Sequence, residues 1–129
     1  MKLYIASHSQ RKALRLLNRL AAAGHEVTSR WITQDTKFHL GASSYTNEEK
    51  TRIALMDEED VRRATDGVVL ISERKGRYIP GGKHVEVGIA LGLGLPVYVL
   101  GSRENILYWH PRVQVFRSTR ELLAHLAHL

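Results

Sequence analysis

The chain has 129 residues, which is enough for one domain (1–129) with a single hydrophobic core and is short for two domains. Cysteine is absent, which excludes disulfides, thiolate metal sites and cysteine nucleophiles. Hydrophobic residues make up 43% of the chain, and no apolar run approaches the length of a membrane span, so we expect a cytoplasmic protein without a membrane partner. The net charge of +6 fits an anionic partner, such as a phosphorylated metabolite or nucleic acid, and fits simple solubility equally well.

Apolar runs alternate with helical patterns along the chain. Strands are predicted at Lys2–Ala6, 26–32, 67–72, Val97–Leu100 and Val113–Phe116. Helices are predicted at about 9–23, 46–64 and 84–93, with a last one starting at Ser118. This order predicts a single-domain α/β fold: a flavodoxin-like or Rossmann-like three-layer sandwich with a five-stranded parallel sheet. Ligands of such sheets bind beyond the carboxyl ends of the strands, in residues 7–10, 31–45, 73–86 and 101–110.

Glu86 follows a glycine-containing loop at one of these strand ends. Gly81 and Gly82 allow a tight turn and a close approach to a ligand. Glu86 is then expected in the first turns of a helix, whose dipole favours an ionised carboxylate. Such a group is suited to nucleophilic attack on the anomeric carbon of a sugar. From spacing alone, however, the favoured interpretation is that Glu86 only complements the helix dipole.

Asp57 lies in an acidic run that is not uniformly exposed. At 100° per residue, Asp57 and Asp60 share a helix face with the apolar side chains of Ile53 and Val61. An inward-facing carboxylate must be paired, hydrogen-bonded or functional. The sequence leaves open whether Asp57 pairs with an arginine, such as Arg52 or Arg63, or lies in a functional site.

Two segments of the chain follow a recognisable pattern: DEEDVRRATDGVVLI (57–71) and, after a loop, GKHVEVG (82–88). They resemble the nucleoside 2-deoxyribosyltransferase family, which includes the 2'-deoxynucleoside 5'-monophosphate N-glycosidases. The opening LYIA (3–6) and the later VYVLG (97–101) are also similar. Together these segments extend the resemblance over roughly residues 2–118.

The resemblance implies roles for particular residues. Glu86 would be the nucleophile that forms a glycosyl-enzyme intermediate at C1', and Asp57 would position the sugar and handle the proton of the leaving base. Gly82 would provide the close backbone approach. Small polar residues of the opening loop would lie near the sugar or phosphate: Ser7, His8 and Ser9.

Two departures from the family pattern leave the reaction open. Pro80 stands where the transferases carry an additional Asp, and Gly82, Lys83 and His84 stand where the monophosphate hydrolases carry a phosphate-handling Ser. The resemblance therefore implies transfer of a deoxyribosyl group between bases or, alternatively, hydrolysis of a nucleoside 5'-monophosphate. A non-catalytic nucleotide-binding module is the rival of another class. The expected partners are a nucleoside or nucleotide, a free nucleobase and further copies of the chain, with no metal or organic cofactor and no nucleic acid.

Other side chains of the predicted crevice have two interpretations each. Trp31, at the expected end of the second strand, either stacks on a base or is a core residue. His84 either donates to a ligand or is structural. Four cations would suit a 5'-phosphate if they face the crevice, although a solvated loop is the more common explanation: Arg74, Lys75, Arg77 and Lys83.

Overall fold

Five parallel strands form the centre of the protein in the computed structural model, which describes residues 1–74 and 81–129. The strand order is β2-β1-β3-β4-β5, and each neighbouring pair is parallel. This is the flavodoxin-like order. The chain first adds β2 on one side of β1 and then adds β3 on the other side, which leaves a crevice at the carboxyl ends of β1 and β3. The predicted fold is therefore confirmed. The strands are β1 (Lys2–Ala6), β2 (Glu26–Val27), β3 (Val68–Ile71), β4 (Val97–Leu100) and β5 (Val113–Phe116).

Helices flank the sheet and begin where the sequence provides capping side chains. Thr46 and Glu49 form the predicted capping box, in which each side chain accepts a hydrogen bond from the other residue's backbone N–H. Ser118 caps the last helix by accepting from the backbone N–H of Glu121. The helices are α1 (Gln10–Ala22), α2 (Trp31–Gln34), α3 (Asn47–Arg63), α4 (Gly82–Gly92) and α5 (Thr119–Ala127). Within the described ranges, no helix combines the length and the apolarity that crossing a bilayer requires.

The strand register shows which face of the sheet each helix covers. Tyr4 of β1 pairs with Val68 of β3, and its hydroxyl reaches Glu86 on α4, so these strand positions face α4. The register places the side chain of Tyr98 on the opposite face of the sheet, where its ring centroid lies 5.9 Å from that of His125 on α5. Because side chains alternate along a strand, α4 and α5 lie on opposite faces of the sheet. The sandwich therefore has three layers.

The second strand is much shorter than predicted, and the expected strand 26–32 is wrong beyond Val27. The hydroxyl of Ser29 accepts a hydrogen bond of 2.6 Å from the backbone N–H of Ile5, a donor that a continuing strand would have paired with a carbonyl. Arg30 then adopts helical dihedral angles, and α2 begins at Trp31. The side chain of Ser29 thus ends the ladder, and Trp31 lies on a short helix rather than at a strand end.

Gly67, directly before β3, has a backbone conformation that only glycine adopts without strain. Its φ is +130°, and an added Cβ would lie 2.7 Å from the carbonyl oxygen of Pro96. We expect Gly67→Ala to lower the free energy of unfolding by about 2 kcal/mol or more, measured by urea denaturation. Gly92→Ala is the matched control, because nothing lies within 4 Å of its added Cβ and the helix gains propensity. Equal stability changes in the two variants would contradict this account.

Candidate active site

A cavity of about 700 Å³ opens beside the carboxyl end of β1, between the loop after β1, the segment 31–45, α3 and α4. It lies at the crevice that the strand order predicts. The cavity brings together most of the residues that the sequence singled out. Those that line it are Ser7, His8, Trp31, Asp57, Gly82, Lys83 and Glu86.

Glu86 projects from α4 toward β1, where its carboxyl group accepts a short hydrogen bond from the Tyr4 hydroxyl. The pKa of Glu86 is raised to about 8: burial raises it most, the Tyr4 hydrogen bond lowers it, and the charge of Asp57 makes a smaller contribution that raises it. Spacing alone favours the interpretation that Glu86 only complements the helix dipole, whereas the structure turns its side chain into a cavity and against Tyr4. Glu86 is the fifth residue of α4, and loss of hydration outweighs a dipole that acts mainly within the first turn.

Asp57 faces the same cavity from α3. Its Oδ1 is buried and accepts no hydrogen bond from the described residues. The pKa of Asp57 is raised to about 7: burial raises it most, the charges of Asp60 and Asp35 raise it as well, and the charge of Arg30 lowers it. Of the two interpretations that the sequence left open, pairing with Arg52 or Arg63 is wrong, because Asp57 forms no ion pair with either of these described residues.

Asp60, one turn further along α3, is the carboxylate that does pair. Its side chain is fully buried and accepts bonds of 2.8 and 2.9 Å from the side-chain and backbone nitrogens of Arg30. Arg63 Nη1 lies 3.6 Å from Asp60 Oδ1. The predicted helix face is thus confirmed, with both acids turned inward, and Asp60 has the structural role of holding the segment before α2 against α3.

The raised pKa of Asp57 makes stability depend on pH in a specific direction. The folded state keeps a proton that the unfolded chain, with an ordinary aspartate pKa of 3.8, releases. The folded state therefore binds more protons between about pH 4 and 7, and the free energy of unfolding falls as pH rises through this range.

We expect Asp57→Asn, which cannot ionise, to melt close to the parent protein at pH 4 and above it at pH 8. The difference in Tm is expected to be about 4 °C for each 1 kcal/mol by which the substitution raises the free energy of unfolding. Thermal melts at both pH values measure it, with Glu59→Gln as an exposed control on the same helix. A Tm difference that is the same at pH 4 and pH 8 would show that Asp57 titrates normally.

Three of the residues expected to bind substrate lie outside the cavity lining. Ser9 caps α1 by accepting from the backbone N–H of Lys12. Gly81 precedes α4 and is exposed. His84 points away toward Tyr108, with its Nδ1 2.5 Å from the phenol oxygen. Ser7 and His8 keep a place in the lining, and the Ser7 hydroxyl also accepts from the backbone N–H of Ser9 at 3.0 Å.

Lys83 differs from the expected solvated cation. It is buried, and its ammonium group donates to the carboxylate of Glu104 at 2.6 Å and to the carbonyl of Ile71 at 3.4 Å. The pair joins the start of α4 to the loop after β4, so the positive charge of Lys83 is largely neutralised within the protein. Arg74 is exposed, whereas Lys75, Arg77 and Pro80 lie outside the described residues.

The segment 31–45, which the sequence predicted to face a ligand, forms an aromatic and acidic wall, and apart from Trp31 its side chains were not singled out. The Trp31 and Phe38 rings pack with centroids 4.9 Å apart, and both line the cavity. Asp35 and Tyr45 line it as well, with the Tyr45 hydroxyl donating a short hydrogen bond to Asp35 Oδ1. The segment lacks hydrophobic periodicity, so its aromatic residues were the only available signal.

Tyr4 was also missed as a site residue, although a phenol in an otherwise apolar strand signals a buried hydroxyl that needs a partner. That partner is Glu86. Burial and the neighbouring charge of Glu86 raise the pKa of Tyr4 far above its ordinary value, so the phenol remains a proton donor. In the part of the chain that the structure describes, no group of three or more metal-ligating side chains is placed to hold an ion.

Comparison with known proteins identifies the fold. No model of a protein family and no curated relative matches the chain. A solved structure does match: a 2-deoxyribosyltransferase from the psychrotolerant bacterium Bacillus psychrosaccharolyticus, described as a biocatalyst for nucleoside synthesis. The TM-score is 0.71 at 22% identity, over 95% of this chain and 90% of that one. The chain therefore has the fold of a 2-deoxyribosyltransferase, and the resemblance noted in the sequence is confirmed at the level of fold.

Proposed function

We propose that the protein is an enzyme that cleaves the N-glycosidic bond of a 2'-deoxynucleoside and transfers the deoxyribosyl group to another base. One observation carries the proposal: two carboxyl groups, Glu86 and Asp57, face one cavity with raised pKa values, and a phenol orients the first. Perturbed carboxyl pairs in a cavity are typical of catalytic sites. The shared fold with a 2-deoxyribosyltransferase supports the same reaction class.

The two acids suit different steps of a double displacement. A carboxylate oxygen of Glu86 attacks C1' of the sugar, and the bond from C1' to the base nitrogen breaks with inversion. The base leaves with a proton supplied by Asp57. An incoming base then attacks C1', the ester to Glu86 breaks with a second inversion, and Asp57 takes the proton from the incoming base. The anomeric configuration is retained, as in retaining glycosidases.

The proposed reaction needs an ionised Glu86 beside a protonated Asp57. The pKa is about 8 for Glu86 and about 7 for Asp57, both raised chiefly by burial, so the free protein holds protons on this pair near neutral pH. Because the pKa of Glu86 is the higher of the two, ionised Glu86 is the less populated form of the free protein, and the Tyr4 hydroxyl, which donates to Glu86, stabilises that form. Asp57 Oδ1 accepts no hydrogen bond from the described residues, so it can carry the proton when Glu86 attacks.

Chromatography of reactions with defined substrates tests the proposal. The protein is incubated with deoxynucleosides, ribonucleosides and their 5'-monophosphates, each with and without a second free base. Transfer predicts a new deoxynucleoside that forms only when the second base is present. Free base and sugar or sugar phosphate, formed equally without an acceptor, would identify a hydrolase instead. Binding without release of any base would point to a non-catalytic nucleotide-binding protein.

A further inference from the structure

We propose that Asp35 forms part of a base-binding subsite that selects nucleobases carrying an exocyclic amino group, such as adenine and cytosine, over their oxo counterparts. The inference rests on the proposed function, because it names the bases that this cavity takes. It is carried by the wall that the segment 31–45 presents to the cavity.

Asp35 has one oxygen engaged and one available. Its Oδ1 accepts the Tyr45 hydroxyl and the backbone N–H of Lys37, the latter at 3.3 Å. Its Oδ2 makes no hydrogen bond with any residue that the structure describes. The residue is only 9% exposed and lines the cavity. A carboxylate oxygen in such a place accepts an N–H group and repels a carbonyl oxygen.

The surroundings of Asp35 suit a flat aromatic ligand. Trp31 and Phe38 supply ring surface on the same wall. Trp31 is itself fixed, since its indole N–H donates to the carbonyl of Ile5 at 3.1 Å. A base that lies on this wall therefore meets aromatic carbon on its face and a carboxylate oxygen at its edge.

The position of Asp35 also agrees with the direction in which a bound nucleoside would extend. The charge of Asp35 raises the pKa of Asp57, and that of Asp57 raises the pKa of Glu86, so Asp57 is within electrostatic reach of both. A nucleoside with C1' at Glu86 and its glycosidic nitrogen near Asp57 places the far edge of the base toward Asp35. In adenine and cytosine that edge carries the amino group, and in hypoxanthine and uracil it carries an oxygen.

Two matched substrate pairs test the inference without any variant. Values of kcat/KM are measured for deoxyadenosine against deoxyinosine and for deoxycytidine against deoxyuridine, with one acceptor base throughout. We expect the amino member of each pair to be favoured about tenfold or more, as a hydrogen bond to a charged group implies. Equal values within both pairs, or a preference for the oxo members, would overturn the proposal.

Asp35→Asn tests the assignment to this residue. The hydroxyl of Tyr45 and the N–H of Lys37 both donate, so they keep the amide oxygen of the new side chain and turn its NH₂ group toward the cavity. The amino preference should then vanish or reverse in favour of the oxo bases. Glu58→Gln is the control, because Glu58 also lines the cavity but pairs with Arg62 at 2.9 Å, and it should keep the parent ratios. An unchanged ratio in Asp35→Asn would refute the role of Asp35.

Calorimetric binding of the free bases separates this inference from the proposed function. Adenine against hypoxanthine, and cytosine against uracil, require no bond cleavage. If no deoxynucleoside is turned over but the amino bases bind about tenfold more tightly, the transferase proposal fails and the subsite stands. If turnover occurs and neither assay distinguishes the members of a pair, the subsite fails and the transferase proposal stands.

Discussion

Replacing Glu86 with Gln is expected to lower kcat/KM for deoxyribosyl transfer by at least about 10³-fold, the order lost when a covalent nucleophile is removed. Glutamine keeps the shape of the side chain and an oxygen that accepts the Tyr4 hydroxyl, but it removes the charge that attacks C1'. The fold should survive, because burial already raises the pKa of Glu86 to about 8 and a neutral side chain spares the desolvation of a charge. Steady-state kinetics and a thermal melt measure the two effects.

A trapped intermediate makes the same expectation more specific. A deoxynucleoside with an electron-withdrawing 2'-fluorine slows breakdown of the sugar ester, so the parent protein should accumulate an adduct on Glu86, located by peptide mass spectrometry. Glu86→Gln should form none. An adduct on another residue would assign the nucleophile to that residue. Near-normal turnover by Glu86→Gln would reject the covalent mechanism.

Asp57→Ala is expected to lower turnover by about 10²–10⁴-fold, the range associated with general acid–base catalysis. Its neighbours Glu58 and Glu59 provide matched controls, since the first pairs with Arg62 and the second is exposed beside Arg30. Alanine at either position should leave turnover nearly unchanged. If the Asp57 and Glu58 variants behaved alike, the position of Asp57 on the inward face of α3 would have no functional meaning.

A substrate whose base is already cationic separates proton donation by Asp57 from positioning of the sugar. The base of N7-methyl-deoxyguanosine leaves without needing a proton, so proton donation predicts that the deficit of Asp57→Ala shrinks to less than about tenfold with this substrate. A deficit of the same size with both substrates would assign Asp57 to holding the sugar.

Local and periodic features were predictable from the sequence. The capping box of Thr46 and Glu49 depends on residues three apart, and the inward face of α3 depends on the helical repeat, so neither needs knowledge of the tertiary fold. The continuous apolar run of β3 likewise identified a strand buried on both faces. These features placed Asp57 on the inward face of α3 and the loop before Glu86 after β3, whereas only the family resemblance implied that the two carboxyl groups share a site.

Features that depend on partners distant in sequence were not predictable. The length of β2 is set by a hydrogen bond from Ile5 to Ser29, 24 residues apart, and the state of Lys83 is set by Glu104. The raised pKa of Glu86 arises from burial against other elements, whereas position on a helix suggests the opposite direction. In each case a long-range contact overrides a local preference.

The wall formed by the segment 31–45 is held in part by one amide from another element. Gln10, the first residue of α1, donates through Nε2 to the carbonyls of Ile32 and Asp35 at 3.0 and 2.9 Å, with that of Trp31 at 3.4 Å. A four-residue helix leaves its carbonyls without partners of its own, so this amide replaces the missing turn. In native-state hydrogen exchange we therefore expect the first turn of α1 and residues 31–35 to open as one cooperative unit, so that fraying of α1 loosens the aromatic wall.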